Sequence, residues 1–534
     1  MAVLSVLLGS LAAASVVAGA PTSLSSSSSS SDTPYYGSHS EYQRHNQHRN
    51  SNHFLVSRAP AVALAKHTLP LVRSIPARQG KTPRPRPWHD PNRAPLPLHA
   101  GRKLFTVPGG SNSTTNSTSS SPPLAVGVGK APSANHDIEY ITQVVAGSNN
   151  LSLVVDTGSS DTWFVRQGFS CVDPQYHRPT LNAACGFGPV FKGDFPGGAI
   201  PNQHLAVAYG NPGGPFLEGL LGYSDLEISG LRLKKQTIGL VTRGYWDGDG
   251  VTSGLLGLGL PGLTNALPGA PSTTRAGDEL DQQRVSVEYA PFVSTLASET
   301  NVTQFSLALS RDPEQSFLAL GGAPPNIEID PSLGWVTTPI VKTSTLSNPV
   351  GRFMYYTISV ESLQYNSSVL RRSTIAVDGQ PLRDLPIIVD SGTTLNLFPY
   401  EVALAINQLY TPHAQFDPDQ GSWIVKCDAT PPSLGVQIGD KVIWTDPKSM
   451  ILPPTGAGSL GNNYCLSGVG ARNDAPFILG DTFMQQLVTV FDVGNKEIKF
   501  AKRVNNNAPT TTTAPKPSPT KPTLPKPTKG KPPV

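Results

Sequence analysis

The sequence has few charged residues, few cysteines and no long apolar run after its first residues. Asp, Glu, Lys and Arg make up 15% of the 534 residues, against about 25% in typical globular proteins. The four cysteines form no Cys-x-x-Cys pair and have no nearby His pair, which argues against a zinc site. Beyond residue 20 no run reaches the roughly 18 apolar residues of a membrane-crossing helix, so we expect no membrane span.

Glycine and proline are abundant, with 50 and 52 copies respectively. This composition indicates turns and irregular segments rather than long helices. A chain of this length exceeds what one hydrophobic core usually supports, so two or more core-bearing units are expected. The sequence therefore predicts an all-β body with disordered ends.

Residues 1–20 have the pattern of a secretory signal peptide. It is apolar and ends in small residues, Val17-Ala18-Gly19-Ala20, where signal peptidase cuts. The glycosylation tripeptide Asn-x-Ser/Thr occurs five times, at Asn112, Asn116, Asn150, Asn301 and Asn366. These features predict a secreted glycoprotein. No hydrophobic segment for a GPI anchor ends the chain.

Charge is segregated along the chain. Residues 21–103 hold 12 Lys and Arg against three acids, together with seven of the 11 His. Residues 504–534 hold five Lys and no acid. The segment between them, 104–503, has 24 basic and 34 acidic residues, a net charge of −10. A basic leader thus precedes an acidic body, which predicts electrostatic attraction between them.

One short sequence motif occurs twice in the chain. Residues 154–160, Val-Val-Asp-Thr-Gly-Ser-Ser, return 234 residues later as Ile-Val-Asp-Ser-Gly-Thr-Thr. Each copy reads as a buried β-strand that ends in an Asp, Asp156 or Asp390, on a Gly-containing turn. A buried carboxylate needs surrounding hydrogen bonds, and the flanking hydroxyls and amides can supply them. Two related halves would each deliver one carboxylate to a common cleft.

These motifs resemble those of the pepsin-like aspartic endopeptidases, over roughly residues 136–503. An apolar-apolar-Gly motif follows each Asp, with Gly257 101 residues after Asp156 and Gly480 90 residues after Asp390. The run from Phe477 to Asp492 is similar to the family's C-terminal signature. The resemblance implies an all-β, bilobal fold with lobes 136–325 and 326–503 and a cleft between them. Two surface turns in an unrelated β-protein are the alternative.

The resemblance also implies roles for individual residues. Asp156 and Asp390 would form the catalytic dyad. The supporting residues fall in two loops: Thr157, Gly158 and Ser159, and Ser391, Gly392 and Thr393. Ser159 and Thr393 would hydrogen-bond the outer carboxylate oxygens, whereas Thr157 and Ser391 would cross-link the loops. Two adjacent carboxyls share one proton, so one can activate water while the other protonates the scissile carbonyl.

A substrate-covering hairpin, the flap, is predicted around Tyr209 and Gly210. In the family a flap Tyr hydrogen-bonds a Trp, and Trp163, seven residues after Asp156, is at the expected spacing. The following segment, Asn211–Gly219, indicates a turn longer and richer in Pro and Gly than usual. A strand with the alternation of a sheet edge is expected over residues 138–145.

The four cysteines allow three disulfide connectivities. The family-like choice pairs them within each lobe, as Cys171–Cys185 and Cys427–Cys465. The secretory context favours their oxidation.

Three segments lie outside the predicted lobes. Residues 21–103 form the basic leader, and residues 54–80 within it resemble the start of a fungal-type inhibitory prosegment; a basic linker is the alternative. Arg102-Lys103 is a dibasic pair, and processing there would start the mature chain at Leu104. Residues 104–135 are expected to be flexible and glycosylatable. The Pro-, Thr- and Lys-rich tail, 504–534, is expected to be extended and exposed.

Together these features predict a secreted, acid-active aspartic endopeptidase made as a zymogen. Its substrates would be polypeptides with bulky apolar residues at the scissile bond, and its own propeptide would be an intramolecular inhibitor. We expect a monomer with no metal, no cofactor and no nucleic-acid partner. The rival hypothesis is a non-catalytic secreted or cell-wall-associated binding glycoprotein with the same fold. A serine-protease mechanism is disfavoured, because no Gly-x-Ser-x-Gly elbow with suitable partners is present.

Overall fold

A computed structural model describes most of the predicted body. The described residues are 121–134, 139–210, 214–271, 286–325, 327–345, 348–371, 376–377, 380–381, 386–418, 421–453, 463–472 and 477–504. The predicted signal peptide, the leader, the tail beyond residue 504, Asn112 and Asn116 lie outside them.

The first half contains twelve of the described strands and one described α-helix. The strands are β1 Gly127–Lys130, β2 Ser133–Ala134, β3 Glu139–Ala146, β4 Asn149–Asp156, β5 Trp163–Cys171, β6 Ala199–Ala208, β7 Phe216–Ile228, β8 Leu231–Tyr245, β9 Gly254–Gly257, β10 Ala266–Pro268, β11 Gln304–Ala308 and β12 Phe317–Leu320. The helix α1 is Phe292–Thr300, and short 3-10 turns are Asn182–Cys185, Pro261–Leu263 and Pro313–Gln315.

The second half contains twenty described strands and two described short α-helices. The strands are β13 Val336–Pro339, β14 Thr343–Thr345, β15 Asn348–Arg352, β16 Thr357–Ser359, β17 Ser362–Tyr365, β18 Ser368–Arg371, β19 Ala376–Val377, β20 Gln380–Pro381, β21 Pro386–Val389, β22 Asn396–Phe398, β23 Gln415–Asp417, β24 Ser422–Lys426, β25 Leu434–Ile438, β26 Lys441–Trp444, β27 Ile451–Leu452, β28 Tyr464–Ser467, β29 Val469–Ala471, β30 Phe477–Leu479, β31 Leu487–Asp492 and β32 Glu497–Lys502. The helices are α2 Tyr400–Asn407 and α3 Asp481–Met484, and a 3-10 turn is Pro447–Met450.

The predicted all-β class is confirmed. The first half forms a nine-stranded sheet, ordered β10-β6-β7-β8-β5-β9-β4-β3-β2, which curls so that β3 also pairs with β7. The predicted edge strand is therefore wrong, because β3 pairs with β4 on one side and with β2 and β7 on the other. Strand β3 is thus covered by neighbouring strands on both sides. Gln143 is exposed and Val145 is half-buried, whereas its other residues are buried.

The repeated motif folds the same way in both halves. In the first half β4 pairs in parallel with β9, Val154 opposite Leu255. In the second, β21 pairs in parallel with β30, Ile388 opposite Ile478. The β21–β30 pair belongs to a five-stranded sheet, ordered β16-β21-β30-β22-β29. Each later strand thus lies beside the strand that leads to an Asp. Both strands are buried at the paired residues, as is typical of parallel strands in the core.

A six-stranded sheet joins the two halves, ordered β1-β12-β11-β31-β32-β13. Phe305 on β11 lies opposite Phe491 on β31, and their rings stack with centroids 4.8 Å apart. Tyr356, from the second half, packs edge-on against both rings. The lobe boundary expected at residue 325 therefore does not separate the strands of this sheet, which come from both sides of it.

The expectation of a flexible segment over 104–135 is wrong for its described residues, 121–134. Strand β1 pairs with β12, Gly127 opposite Leu320, and β2 pairs with β3. The Ala125 N–H donates to the Ala323 carbonyl at 2.9 Å. These bonds satisfy a sheet edge that would otherwise expose unpaired backbone groups. No helix among the described residues is long and apolar enough to cross a membrane.

Candidate active site

The two Asp side chains lie at equivalent ends of β4 and β21, and each is held by its own loop. The Gly158 N–H donates to Asp156 Oδ1 at 2.7 Å, and the Ser159 hydroxyl donates to Asp156 Oδ2. In the second loop the Gly392 N–H donates to Asp390 Oδ1 at 2.9 Å, and the Thr393 hydroxyl donates to Asp390 Oδ2 at 2.7 Å. Both carboxyls are 1% exposed. Four donors therefore replace the water that burial removes.

Two hydroxyls cross-link the loops beneath the carboxyls. Thr157 Oγ1 donates to the Val389 carbonyl at 3.2 Å and accepts the Ser391 N–H at 2.9 Å. Reciprocally, Ser391 Oγ donates to the Val155 carbonyl at 2.8 Å and accepts the Thr157 N–H at 3.2 Å. The near two-fold exchange fixes the position of one lobe's loop against the other's.

Each loop glycine lies directly against the opposite carboxyl. A Cβ atom added at Gly158 would stand 2.5 Å from either Oδ atom of Asp390, and one added at Gly392 would overlap Asp156 Oδ1. No larger residue fits at either position without moving a carboxyl. Glycine is thus required here for the close approach of the two loops.

Burial shifts the pKa values of both carboxyls, and the nearness of the two groups shifts them further. Burial raises the pKa of Asp156 well above its ordinary value, and the charge of Asp390 raises it further. Burial also raises the pKa of Asp390, against hydrogen bonds from Thr393, Gly392, Asp156 and Gly158 that lower it. The hydrogen bond between the two carboxyls raises the pKa of Asp156 and lowers that of Asp390. Two adjacent buried carboxyls of this kind titrate as a pair and can share one proton.

Tyr209 stands next to this pair, at the end of the β6–β7 hairpin. Its hydroxyl accepts the indole N–H of Trp163 at 2.7 Å and hydrogen-bonds Ser159, which also holds Asp156. Burial, then the charges of Asp161 and Asp156, raise the pKa of Tyr209 well above its ordinary value, so it stays a neutral hydroxyl. The structure thus links Trp163, Tyr209 and the first carboxyl in one chain of hydrogen bonds.

The turn of this hairpin is shorter than the sequence pattern indicated. Strand pairing resumes with Ala208 opposite Phe216 and Leu205 opposite Gly219, so residues 216–219 are strand rather than turn. The Tyr209 N–H closes the turn on the Pro215 carbonyl at 2.8 Å. Gly210 has a φ of +72°, a conformation that favours glycine. Residues 211–213 lie outside the described structure.

Two groups near Tyr209, Trp246 and Asp161, were not predicted from the sequence. Trp246 is edge-on to both Trp163 and Tyr209, with centroids 5.1 and 5.4 Å away. Asp161 is fully buried and accepts hydrogen bonds from the Asn265 amide nitrogens and the Tyr289 hydroxyl. Burial raises the pKa of Asp161, and these bonds oppose the shift. The sequence signal for Asp161 is that it is an acidic residue in the otherwise uncharged segment 157–165.

Both predicted disulfides are confirmed. Cys171 is bonded to Cys185, 14 residues away, and Cys427 to Cys465, 38 residues away. Each bond lies within one lobe. Of the predicted glycosylation sites, the three in the described residues, Asn150, Asn301 and Asn366, are all exposed. In the part of the chain that the structure describes, no group of three or more His, Cys, Asp and Glu could hold a metal ion.

A bilobal β-fold with two hydrogen-bonded Asp carboxyls at the lobe junction defines a class, the pepsin-like aspartic proteases. Comparisons with known proteins agree. A family model for eukaryotic aspartyl proteases matches residues 139–503. A probable aspartic-type endopeptidase of Aspergillus fumigatus is 32% identical over 372 residues, which cover 68% of this chain and 78% of that protein. Mouse cathepsin E is 26% identical over 391 residues, covering 69% and 81%.

A solved structure agrees at the level of the fold. The crystal structure of the aspartic proteinase from Irpex lacteus matches with a TM-score of 0.50 and 21% identity, covering 71% of this chain and 99% of that one. The chain belongs to the eukaryotic aspartyl protease family, and it is an aspartic-type endopeptidase.

Proposed function

We propose that Asp156 and Asp390 are the catalytic dyad of this endopeptidase. The observation that carries the proposal is their arrangement: two buried carboxyls lie side by side, each held by a Gly N–H and a hydroxyl. The ionised carboxyl of the pair takes a proton from water as the water oxygen attacks the scissile carbonyl carbon. The protonated carboxyl gives its proton to the carbonyl oxygen, so no free oxyanion forms. The first carboxyl then passes the water proton to the amide nitrogen while the second takes a proton back from a hydroxyl of the tetrahedral intermediate, so the C–N bond breaks and the pair again holds one proton.

Acid activity follows from this division of roles. The reaction needs exactly one proton on the pair, so activity should be bell-shaped in pH, falling when both carboxyls are protonated and when both are ionised. Substrate carbonyl protonation is easiest when the donor is a carboxylic acid rather than water. We therefore place the working range of the enzyme on the acidic side of neutrality.

The apolar packing around the dyad supports a preference for bulky apolar side chains. On the Asp156 side, Trp163, Phe187 and Trp246 form an aromatic cluster with Tyr209. On the Asp390 side lies a second apolar cluster, which comprises Leu263, Tyr355, Ile388, Leu397 and Ile478. A cleft between two such apolar bodies would favour peptides whose side chains bury apolar area, at about 25 cal/mol per Å².

The test of the dyad is peptidase activity in purified variants. We expect Asp156→Asn and Asp390→Asn each to lower kcat/KM on denatured globin by at least about 10³-fold, because either change removes the shared-proton pair. Asp440→Asn, at an exposed hairpin turn, is the matched control and should retain full activity. Assays from about pH 2 to 7, with and without a statine-type transition-state mimic, locate the optimum. Residual activity above a few per cent in either dyad variant would contradict the assignment.

We further propose that the enzyme is secreted as a glycosylated, monomeric zymogen, with residues 21–103 as its inhibitor. The leader's 12 Lys and Arg face a body with 34 acids, so attraction holds the leader at the cleft at neutral pH. On acidification the body's carboxylates are protonated near pH ~4 and the leader's His gain charge near ~6.5, which weakens the attraction. Salt-bridged carboxylates stabilise the inhibited form above their pKa and lose that contribution as the pH falls.

The precursor itself provides the test of inhibition. Purified precursor should show little activity at pH 7, and it should lose the leader near Arg102-Lys103 as the pH is lowered. Electrophoresis and peptide cleavage, followed together across pH, report both events. A precursor that is fully active at pH 7 with residues 21–103 attached would show that the leader is a linker rather than an inhibitor.

A further inference from the structure

The outer face of a four-stranded sheet in the second half, ordered β18-β17-β25-β26, carries exposed apolar side chains. The inner face packs into the core through Leu363, Val436 and Ile443, which are at most 1% exposed. Side chains alternate between the two faces along a strand, so the chain neighbours of these residues point outward. On the outer face Val369 is 42% exposed and Trp444 is 43% exposed.

These two side chains belong to one row across the sheet. Val369 lies opposite Gln364, and Gln364 lies opposite Gly435. Gly435 lies opposite Trp444, and we call these four residues the outer row. The indole leans over the glycine, because a Cβ atom added at Gly435 would stand 2.7 Å from Cε3 of Trp444. The outer row thus has an apolar side chain at each edge of the sheet.

A glycosylation tripeptide lies at the end of the same sheet. Asn366 begins the two-residue turn between β17 and β18, since Tyr365 lies opposite Ser368. Its N–H donates to the Ser433 carbonyl at 3.1 Å. Its side-chain Oδ1 accepts the Ser433 N–H at 3.0 Å and the Ser433 hydroxyl at 3.2 Å. The carboxamide is thus anchored at the start of β25, two residues before Gly435.

This anchoring leaves the glycan-bearing atom of Asn366 available. Oδ1 accepts both hydrogen bonds, whereas Nδ2, the atom to which an N-linked sugar attaches, has no hydrogen-bond partner among the described residues. Two residues along a strand span about 7 Å, so a glycan on Nδ2 begins about that far from the outer row. The fixed carboxamide also limits the directions that the first sugar can take.

A sugar ring and an indole have complementary surfaces. The faces of a pyranose carry C–H groups, which are attracted to the electron-rich face of an aromatic ring, and its rim carries hydroxyls. Beside the outer row, Gln364 Nε2 donates to Gln437 Oε1 at 3.4 Å, so carboxamides are near for those hydroxyls. Exposed apolar surface without such a cover favours association with other molecules.

We propose that the N-linked glycan of Asn366 folds back over the outer row and that its first sugars stack on Trp444. The glycan then shields the apolar side chains of this face from solvent and from other chains. The inference rests on the proposed secretion and glycosylation of the enzyme, and it gives one of the glycans a binding surface on the protein itself.

Site-resolved oxidation tests the contact. Enzyme secreted from a eukaryotic host is exposed briefly to hydroxyl radicals, and mass spectrometry of its peptides reports both oxidation and the occupancy of Asn366. We expect Asn366 to be glycosylated and Trp444 to react several-fold more slowly in the wild type than in Asn366→Gln, because the sugar covers the indole. Phe416, 48% exposed on a different sheet, is the internal reference and should react equally in both proteins.

A second variant and a matched control separate the glycan from the side chain that carries it. Ser368→Ala abolishes the tripeptide but keeps Asn366, and it should expose Trp444 as Asn366→Gln does. Asn301→Gln removes a different glycan at a residue whose φ is 58°, against 48° at Asn366, so both Gln variants place Gln in the same left-handed region. Asn301→Gln should leave the reactivity of Trp444 at the wild-type level.

The outcomes separate this inference from the proposed function. An unoccupied Asn366 beside occupied Asn150 and Asn301, or equal reactivity of Trp444 with and without the glycan, would overturn it. A Trp444 that stays protected after the glycan is removed would show that another molecule, such as a second copy of the chain, covers the outer row instead. Absence of glycans from all three tripeptides would contradict the proposed glycosylation itself. Peptidase activity of the same samples reports the dyad independently.

Discussion

At this site, individual residues influence the Asp156 carboxyl through short series of hydrogen bonds and packing contacts. Trp163 donates its indole N–H to Tyr209, and Ser159 hydrogen-bonds both Tyr209 and Asp156. Trp246 packs against the two aromatic residues. The position of the flap Tyr is therefore coupled to the carboxyl through one hydroxyl, and a change at Trp163 should be measurable in catalysis.

Replacing Trp163 by Phe removes the donor to Tyr209 and keeps an aromatic ring. A hydrogen bond of this kind contributes about 1 kcal/mol, so we expect kcat/KM to fall by about tenfold or less. If the bond is the cause, adding Trp163→Phe to Tyr209→Phe should cost little more than Tyr209→Phe alone. Trp444→Phe, at a side chain 43% exposed, is the control. Fully additive effects in the double variant would refute the coupling.

Much of the residue-level site could be predicted from sequence, because the proposed catalytic residues and the groups that hydrogen-bond them lie together in two short runs. Asp156, Ser159, Asp390 and Thr393 are adjacent along the chain to the groups that hold them. Asp161 also lies close to Asp156 in sequence, but its partners Asn265 and Tyr289 are 104 and 128 residues away, and only the fold brings them together.

At the level of secondary-structure elements, the disulfides constrain long connections. The first closes a loop beside β5 that contains the 3-10 turn Asn182–Cys185, and the second ties β28 to the residue after β24. A disulfide stabilises a protein mainly by restricting its unfolded chain, and the effect grows slowly with loop length. The two bonds should therefore differ in their contribution to stability.

Removing Cys171–Cys185 by paired Cys→Ala changes should lower the free energy of unfolding by about 3 kcal/mol, and removing Cys427–Cys465 by about 4 kcal/mol. The order follows from sequence separations of 14 and 38 residues. Urea unfolding of the oxidised proteins, followed by tryptophan fluorescence, measures both. A larger loss for the shorter loop would show that local packing, rather than chain entropy, decides the contribution.

Edge and interior strands could not be distinguished from the sequence. Residues 139–146 alternate as an edge strand would, yet they pair on both sides. Residues 127–130 look like part of a flexible linker, since they contain two Gly, yet they form the border of the joining sheet. In both cases the deciding factor is a partner strand far away in sequence.

For the whole molecule, buried carboxyls make stability depend on pH. Glu139 on β3 shares a hydrogen bond with Asp249; burial, with the charges of Asp249 and Asp247, raises the pKa of Glu139 from 4.5 to about 8. A raised carboxyl pKa means that the folded state holds a proton that the unfolded chain releases. This contribution to stability is complete below pH 4.5 and is lost as the pH rises through about 8.

Between these pH values the free energy of unfolding should fall by up to about 1.4 kcal/mol per pH unit on account of Glu139. Glu139→Gln stays neutral, so its stability should match that of the wild type at acidic pH and exceed it at neutral pH. Urea midpoints at several pH values measure the difference. Glu227→Gln, at an exposed position, should follow the wild type throughout. Parallel curves for wild type and Glu139→Gln would contradict the raised pKa.

The amino-acid sequence was enough to predict the protease class and the two related halves. A strand, an Asp and a Gly turn, repeated at residues 154–160 and 388–394, specify local structure that depends on neighbouring residues alone. Only the fold shows which strands join the lobes, how Thr157 and Ser391 cross-link the two Asp loops, and which distant residues hold Asp161. These outcomes depend on burial and on contacts between residues distant in the chain, for which local patterns carry no signal.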